Sequence, residues 1–308
     1  MNFFKEEPSV LHVYQNTVGG ALLFYSPIDY LVFYSVFSVC VRQFRVKILG
    51  LCLMVDHIHV LFAETDLPRI RRFMQSCTSR YSRSFNNSLG KGGPLFNEGF
   101  GRAAKRGMKK IRTAIAYLYN NPVEKKLCSR VEEYRWNFLA FATSDHPFSE
   151  RIQRKHSRKF FRKALAEIDS IRAADSPLNE TCLKRIIQPL TPSEREQLYD
   201  YIIFKYSAID YKSVIAFYGD YERMILAINS NTGSEYDIHE NTFGGSDHIF
   251  YQFSSFLKEK YHTEHIKDLL RGTEKEKQSL YRLLRNRFPL ASRRKVWAFL
   301  GDRQMFNT

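Results

Sequence analysis

Residues 46–63 constrain this chain more than any other stretch, because two apolar runs, Val46 to Val55 (VKILGLCLMV) and His57 to Ala63 (HIHVLFA), are separated by Asp56 alone. Runs of this length, rich in Val, Ile and Leu, predict buried strands. With one residue between them they form either a tight hairpin or one bent ribbon. A chain carrying such a pair must build a sheet and cover it.

The flanking segments supply the cover. Leu11 to Val18 predicts a first strand, ended by Gly19-Gly20. Asp29 to Arg45 follows Ser26-Pro27, which suits a helix start. Pro68 to Phe85 repeats Ile70, Phe73, Met74, Cys77, Tyr81 and Phe85 at three- and four-residue spacing, the mark of an amphipathic helix. Asn86 to Gly93 predicts a loop and Pro94 to Phe100 a short strand. Met108 to Asn120 predicts a further helix, stopped at Asn121-Pro122 because proline disfavours a helical residue before it. Val131 to Phe141, with Trp136, is expected to pack as a tail. The order strand, helix, two strands, helix, strand, helix predicts a compact α+β sandwich.

The pattern breaks around Thr143 to Phe148. Arg151 to Lys163 carries seven basic residues and no acid, and the rest reads as almost wholly helical. The expected organisation is therefore a domain over 1–147 and a second, mainly helical one over 148–308.

Net charge is +15 and the pI about 9.6. That favours a polyanionic partner, since each Lys or Arg placed on a phosphate releases counterions, but it says little about fold. The five cysteines form no CxxC pair and are expected to be reduced core residues, not a disulfide framework or a zinc site. Met1 to Pro8 has no apolar signal region and no stretch of 18 apolar residues occurs, so a cytosolic protein is expected.

Three constellations could carry chemistry. In His57-Ile58-His59 the alternation of strand side chains puts both imidazoles on one face, a pre-set chelate for a metal; the bland alternative is two histidines at a strand end, one buried and one exposed. Tyr117 and Asn121 stand four residues apart and share a helix face, with Tyr119 pointing well away; here the bland alternative is an exposed tyrosine near a terminating Asn-Pro. Arg102, Lys105, Arg106, Lys109, Lys110 and Arg112 lie in a stretch, Gly99 to Val123, without a single acid, as a backbone-phosphate footprint would. Near the end, Ser279 to Arg287, a turn, and Ser292 to Leu300 read as a helix-turn-helix-like pair. Ser292 is its N-cap, and Arg293 and Arg294 open the second helix; the alternative is a helical hairpin with a basic solvent face.

Together these residues resemble a family. LCLMVDHIHVLF resembles the pattern in which a hydrophobic strand leads through Met-Pro-Asn into His-hydrophobic-His, with Val55 and Asp56 where Pro and Asn are usual. YLYNNPV resembles the Tyr-x-x-x-Asn-Pro-Val motif that follows it, GPLFNEGF the segment between, and LHVYQNTVGG the opening strand. The family is that of the single-tyrosine HUH transposases, especially the relatives associated with repetitive extragenic palindromes, and the resemblance covers roughly residues 9 to 142. It implies a ferredoxin-like sandwich in the first domain. It also implies that His57 and His59 bind a divalent cation, Mg2+ or Mn2+, with Asn121 at the position of a third ligand and Tyr117 as nucleophile. The implied substrate is single-stranded DNA beside a hairpin, cleaved and rejoined through a 5′-phosphotyrosine in the prokaryotic cytosol at the nucleoid; a homodimer is compatible with this. The competing readings are a catalytically silent DNA-binding protein on the same fold and a metal-dependent DNA hydrolase in which Tyr117 is incidental.

Overall fold

A computed structural model describes residues 8–230 and 247–301. In chain order its first part runs β1 (Ser9–Asn16), α1 (Pro27–Phe44), β2 (Ile48–Leu53), β3 (His57–Phe62), α2 (Leu67–Leu89), β4 (Gly101–Arg106) and α3 (Met108–Glu124). The strands form one antiparallel sheet in the order β2-β3-β1-β4. Two β-α-β units interleave: β3 fills the gap between β1 and β2, and β1 fills the gap between β3 and β4. This is the ferredoxin-like α+β arrangement. The two apolar runs form a hairpin, closed by the Met54 N–H on the His57 carbonyl at 2.9 Å, and both strands are buried at every position.

The pleat divides the sheet into two faces. On one, Phe62 meets Phe73 of α2 at 5.5 Å between ring centres, and Phe73 meets Phe37 of α1 at 5.3 Å. The other face, which carries His57 and His59, is covered by α3. That helix can lie close because residue 50 has no side chain: a Cβ there would meet the Leu118 side chain at 3.2 Å. The Tyr119 hydroxyl donates to the Leu49 carbonyl at 3.3 Å, fixing the helix over β2.

Three boundaries differ from the sequence reading. The fourth strand is Gly101–Arg106, not Pro94–Phe100, where Phe96 makes only an isolated bridge to Thr17. GRAAKR has no apolar signature because it is an edge strand, half-buried and exposed by turns, and its cationic side chains discourage pairing with another chain. Helix α2 continues to Leu89 and ends where Gly90 adopts a left-handed conformation (φ 62°). Helix α3 passes through Asn121-Pro122 to Glu124. Proline falls in its last turn, and side-chain bonds hold the turn: Asn120 Nδ2 to the Ile228 carbonyl at 2.8 Å and Asn121 Nδ2 to the Tyr117 carbonyl at 3.0 Å. Val131 to Phe141 packs beneath as short 3-10 turns.

The rest of the described chain is helical: α4 (Lys159–Ala173), α5 (Glu180–Ile187), α6 (Pro192–Lys205), α7 (Tyr211–Ala216), α8 (Tyr221–Asn229), α9 (His248–Tyr261), α10 (Ile266–Leu270), α11 (Glu274–Arg287) and α12 (Arg293–Leu300). These helices wrap the sandwich. Ile209 forms a bridge with Ile48, and the Asp210 N–H reaches the Ile48 carbonyl at 2.8 Å, so the β2 edge is covered. Leu178 N–H donates to Ser35 Oγ at 2.9 Å and Tyr25 donates to the Phe299 carbonyl at 2.8 Å. One continuous apolar cluster runs from Val10 to Leu300. The cysteines are all free, with Cys40, Cys52 and Cys77 buried and Cys128 and Cys182 half-buried. Among the described residues no helix is long and apolar enough to cross a membrane.

One buried ion cluster ties the two parts together. Lys267 of α10, 5% exposed, pairs with Asp29 of α1 and with Glu180 of α5 at 2.9 Å, and donates to Ser88 Oγ at 3.1 Å. Asp29 also accepts from Tyr25 N–H at 2.9 Å and Ser26 N–H at 3.0 Å, capping α1. Burial alone would push the Glu180 carboxyl up, but Lys267 and Lys184 hold it down at about 2. Removing the cation strands two carboxylates in the interior. Lys267→Met is therefore expected to cost about 3–5 kcal/mol of stability, measured by urea unfolding; a loss under about 1 kcal/mol would place the cluster in effective contact with water.

Candidate active site

The site is built on the sheet face beneath α3. Pairing of β3 with β1 sets Tyr14 opposite His59 and Asn16 opposite His57, and brings His12 onto the same face. His12 Nε2 lies 3.2 Å from His59 Nδ1, with the two rings nearly parallel and 5.3 Å apart. His57 Nδ1 lies 2.5 Å from Asp56 Oδ1. Each motif histidine thus has Nδ1 engaged by a neighbour, which leaves Nε2 as the lone pair it can offer a cation. The rings of His57 and His59 are 4.9 Å apart and nearly perpendicular.

Helix α3 adds the other two residues. The Tyr117 ring stands edge-on to His59 at 5.8 Å and to His12 at 5.6 Å. Asn121 stands one turn on along the same helix face, its side-chain nitrogen on the Tyr117 carbonyl at 3.0 Å. The four residues singled out in the sequence (His57, His59, Tyr117 and Asn121) therefore meet at one place. Tyr119 leaves the helix toward β2, bound to Leu49, and burial pushes its hydroxyl well above the ordinary range. Exposure is 3% for His57, 0% for His59 and 6% for Tyr117, which disposes of both bland alternatives, one exposed histidine and an exposed tyrosine.

Electrostatics keep His12 and His59 neutral. Burial lowers His12 to about 3, and the charge on Lys105 adds to the effect. Burial likewise holds His59 well below its ordinary value, with His57 and His12 pressing the same way. Neutral imidazoles are the form a metal binds. Among the described residues no group of three or more His, Cys, Asp or Glu is placed to hold a metal. The donor set that fits here is two imidazoles and an amide oxygen, chemistry compatible with a hard or borderline divalent cation.

The basic residues fall on several surfaces. In β4, Lys105 shares the His12 face, while Arg102 and Arg106 alternate to the other. Lys109 and Lys110 are exposed on the first turn of α3, which starts after Gly107 (φ 80°). Arg112 donates to the Phe217 carbonyl at 2.8 Å and lies over the Tyr218 ring. Helices α11 and α12 form the expected pair, and Ser292 caps α12 by accepting from the Lys295 N–H at 3.2 Å. Arg293 is exposed, whereas Arg294 lines a cleft shared with Asp56 and Asp247, so the second helix of the pair borders the His57 turn.

Two residues escaped the sequence reading. His12 sits in a short strand whose partner no local pattern names, and Asp56 was visible only as a departure from the usual motif.

Residues 24–121 match the family model described as "Transposase IS200 like", a span that contains the histidine pair and ends at Asn121. A solved structure of a REP-associated tyrosine transposase bound to a REP hairpin is similar at 15% identity and a TM-score of 0.34, over 44% of this chain and 79% of that one. No curated protein matches the chain.

The buried histidines set a pH dependence. In the unfolded chain they titrate near 6.5, whereas in the fold His12 stays neutral down to about 3. Between those values the unfolded state binds more protons, so stability is complete above about pH 6.5 and falls as pH drops toward 3. The melting temperature is expected to decline across that window, less steeply in His12→Phe than in the natural chain. Equal slopes would mean that His12 is charged in the folded protein.

Proposed function

We propose, for a chain whose residues 24–121 match the IS200-like transposase family model, that it cleaves and rejoins single-stranded, hairpin-flanked DNA with Tyr117 as nucleophile. The observation that carries this is the convergence of Tyr117, on a helix, with His59 and His57, on a strand, with Asn121 one turn on from Tyr117 and bonded to its carbonyl.

His57, His59 and Asn121 would hold Mg2+ or Mn2+. Such a cation, when bound, offsets the negative charge of the scissile phosphate and so lowers the barrier to anionic attack. The chain's own residues do the rest. The Tyr117 hydroxyl oxygen bonds to phosphorus and the bond to the 3′ oxygen breaks. The leaving 3′ oxygen takes up a proton, and the phenol gives one up, so the proton count balances. The phosphotyrosine conserves the bond energy, so attack by a second DNA end rejoins the strand without ATP. Asp56 and His12 orient the ligand rings through their Nδ1 atoms. Tyr117 is only 6% exposed, so a DNA strand reaches it after α3 or the covering helices shift.

In this reading residues 1–147 carry the chemistry and 148–308 support it and contribute DNA contacts. Phosphate contacts would come from Arg102, Lys105, Arg106, Lys109, Lys110 and Arg112, on both faces of β4 and the start of α3, and from Arg293 and Arg294 of α12. Most of the affinity is then electrostatic and independent of the cation.

Two experiments separate this reading from its competitors. Tyr117→Phe removes one oxygen and is expected to abolish both nicking and the covalent protein–DNA adduct on a denaturing gel, with DNA binding retained. Tyr119→Phe should keep activity and lose about 1 kcal/mol of stability with its bond to Leu49. Substantial nicking by Tyr117→Phe, with no adduct from the natural chain, would indicate attack by water instead. Second, His57→Ala or His59→Ala should abolish cleavage while changing hairpin-DNA affinity by less than about threefold, since the basic surface remains. Undiminished cleavage in a chelator would exclude the cation-assisted reading.

A further inference from the structure

A second cavity lies beside the site and is used by none of the chemistry above. It offers roughly 180 Å³ of free space between the end of the sandwich and α9. One wall is a run of stacked rings: Phe24 on Tyr30 at 4.1 Å and Tyr30 on Trp136 at 4.2 Å, the latter within 6° of parallel. Across from it stands Tyr251 of α9, a large aromatic left 40% exposed. Lys258, loosely paired with Glu264 at 3.7 Å, sits at the edge with Ser255.

The polar fittings are as informative as the aromatic ones. Tyr30 is 4% exposed, and its hydroxyl lies beside those of Tyr134, which donates to the Leu53 carbonyl at 2.9 Å, and Tyr251. Hydroxyls grouped in this way present donors and acceptors that a ligand with a polar edge can bond. The position is equally specific. Val55 lines the cavity, pinned by the Leu23 N–H on its carbonyl at 2.7 Å, and Asp56 alone separates it from His57.

We propose that this cavity takes one unstacked nucleobase of the single-stranded DNA next to the cleaved phosphate. Flat aromatic walls, grouped hydroxyls and a cation at the mouth are what a flipped base requires: stacking for its faces, hydrogen bonds for its edge and charge for its phosphate. The net charge of +15 suits the same polyanion. The inference rests on the DNA-processing reading, but it concerns binding and not bond breaking.

The test uses the full chain in a chelator, so that binding is read without cleavage. The probe is a labelled hairpin oligonucleotide with randomised single-stranded flanks, in which each flank position is made abasic in turn, and affinity is read by fluorescence anisotropy. One abasic position is expected to weaken binding about tenfold, the scale of a single base–aromatic stack, with the others near unity. Tyr251→Ala should weaken the intact probe by a similar factor and erase the effect of that position. Ser255→Trp, at an exposed site that fills the mouth, should do the same if Tyr251→Ala fails to fold. Indifference to every abasic position overturns the proposal, as does a penalty that survives in both variants, or saturable binding of free nucleosides that the oligonucleotide does not compete away. Failure of the natural chain to form a covalent adduct with Mn2+ would sink the tyrosine chemistry and leave the abasic profile readable.

Discussion

The register of β3 against β1 is the constraint on which the site depends. Phe62 must face α2, and Ile58 and Val60 alternate with it on the same side. That requirement forces His57 and His59 to the opposite face. A slip by one residue would bury the imidazoles among Phe73 and its neighbours and expose the aliphatic set. The chemistry is thus held in place by the same hydrophobic burial that stabilises the sheet, and the histidines need no anchoring of their own beyond their Nδ1 partners.

Covering that face with α3 has an energetic consequence. Three imidazoles and an amide are removed from water, and such groups are tolerated only when bonded. Part of the compensation is visible in the contacts of His12 with His59, Asp56 with His57 and Asn121 with the Tyr117 carbonyl. A buried hydroxyl is likewise used to fix the helix, Tyr119 on Leu49, with Gly50 giving the room. The two tyrosines of YLYNNPV therefore have different work: one clamps the helix to the sheet and the other faces the histidines.

The helical part does more than extend the chain. It covers the β2 edge at Ile48, neutralises Asp29 with Lys267 and brings Arg294 to the border of the His57 turn. Basic residues that are far apart in sequence consequently lie on either side of one buried centre, and α9 contributes the outer wall of the aromatic cavity.

Much of this was legible in local pattern. Periodicity located α1, α2, β2, β3 and the α11–α12 pair with its Ser292 cap, since burial of one face imposes a spacing that a linear sequence records. The HxH and Tyr-x-x-x-Asn spacings likewise placed their residues on common faces, because alternation and helical pitch are properties of the backbone. Other features left no local trace. GRAAKR becomes a strand because β1 offers it six positions of pairing, and the turn of α3 that contains Pro122 is held in part by Asn120 on Ile228, 108 residues away. His12 joins the site because strand order sets β1 beside β3, and strand order follows from packing two crossover helices on one face of the sheet. The sequence by itself determined which faces the reactive side chains share; only the tertiary structure decided which of those faces meet, because that depends on contacts between residues with no spacing relation along the chain.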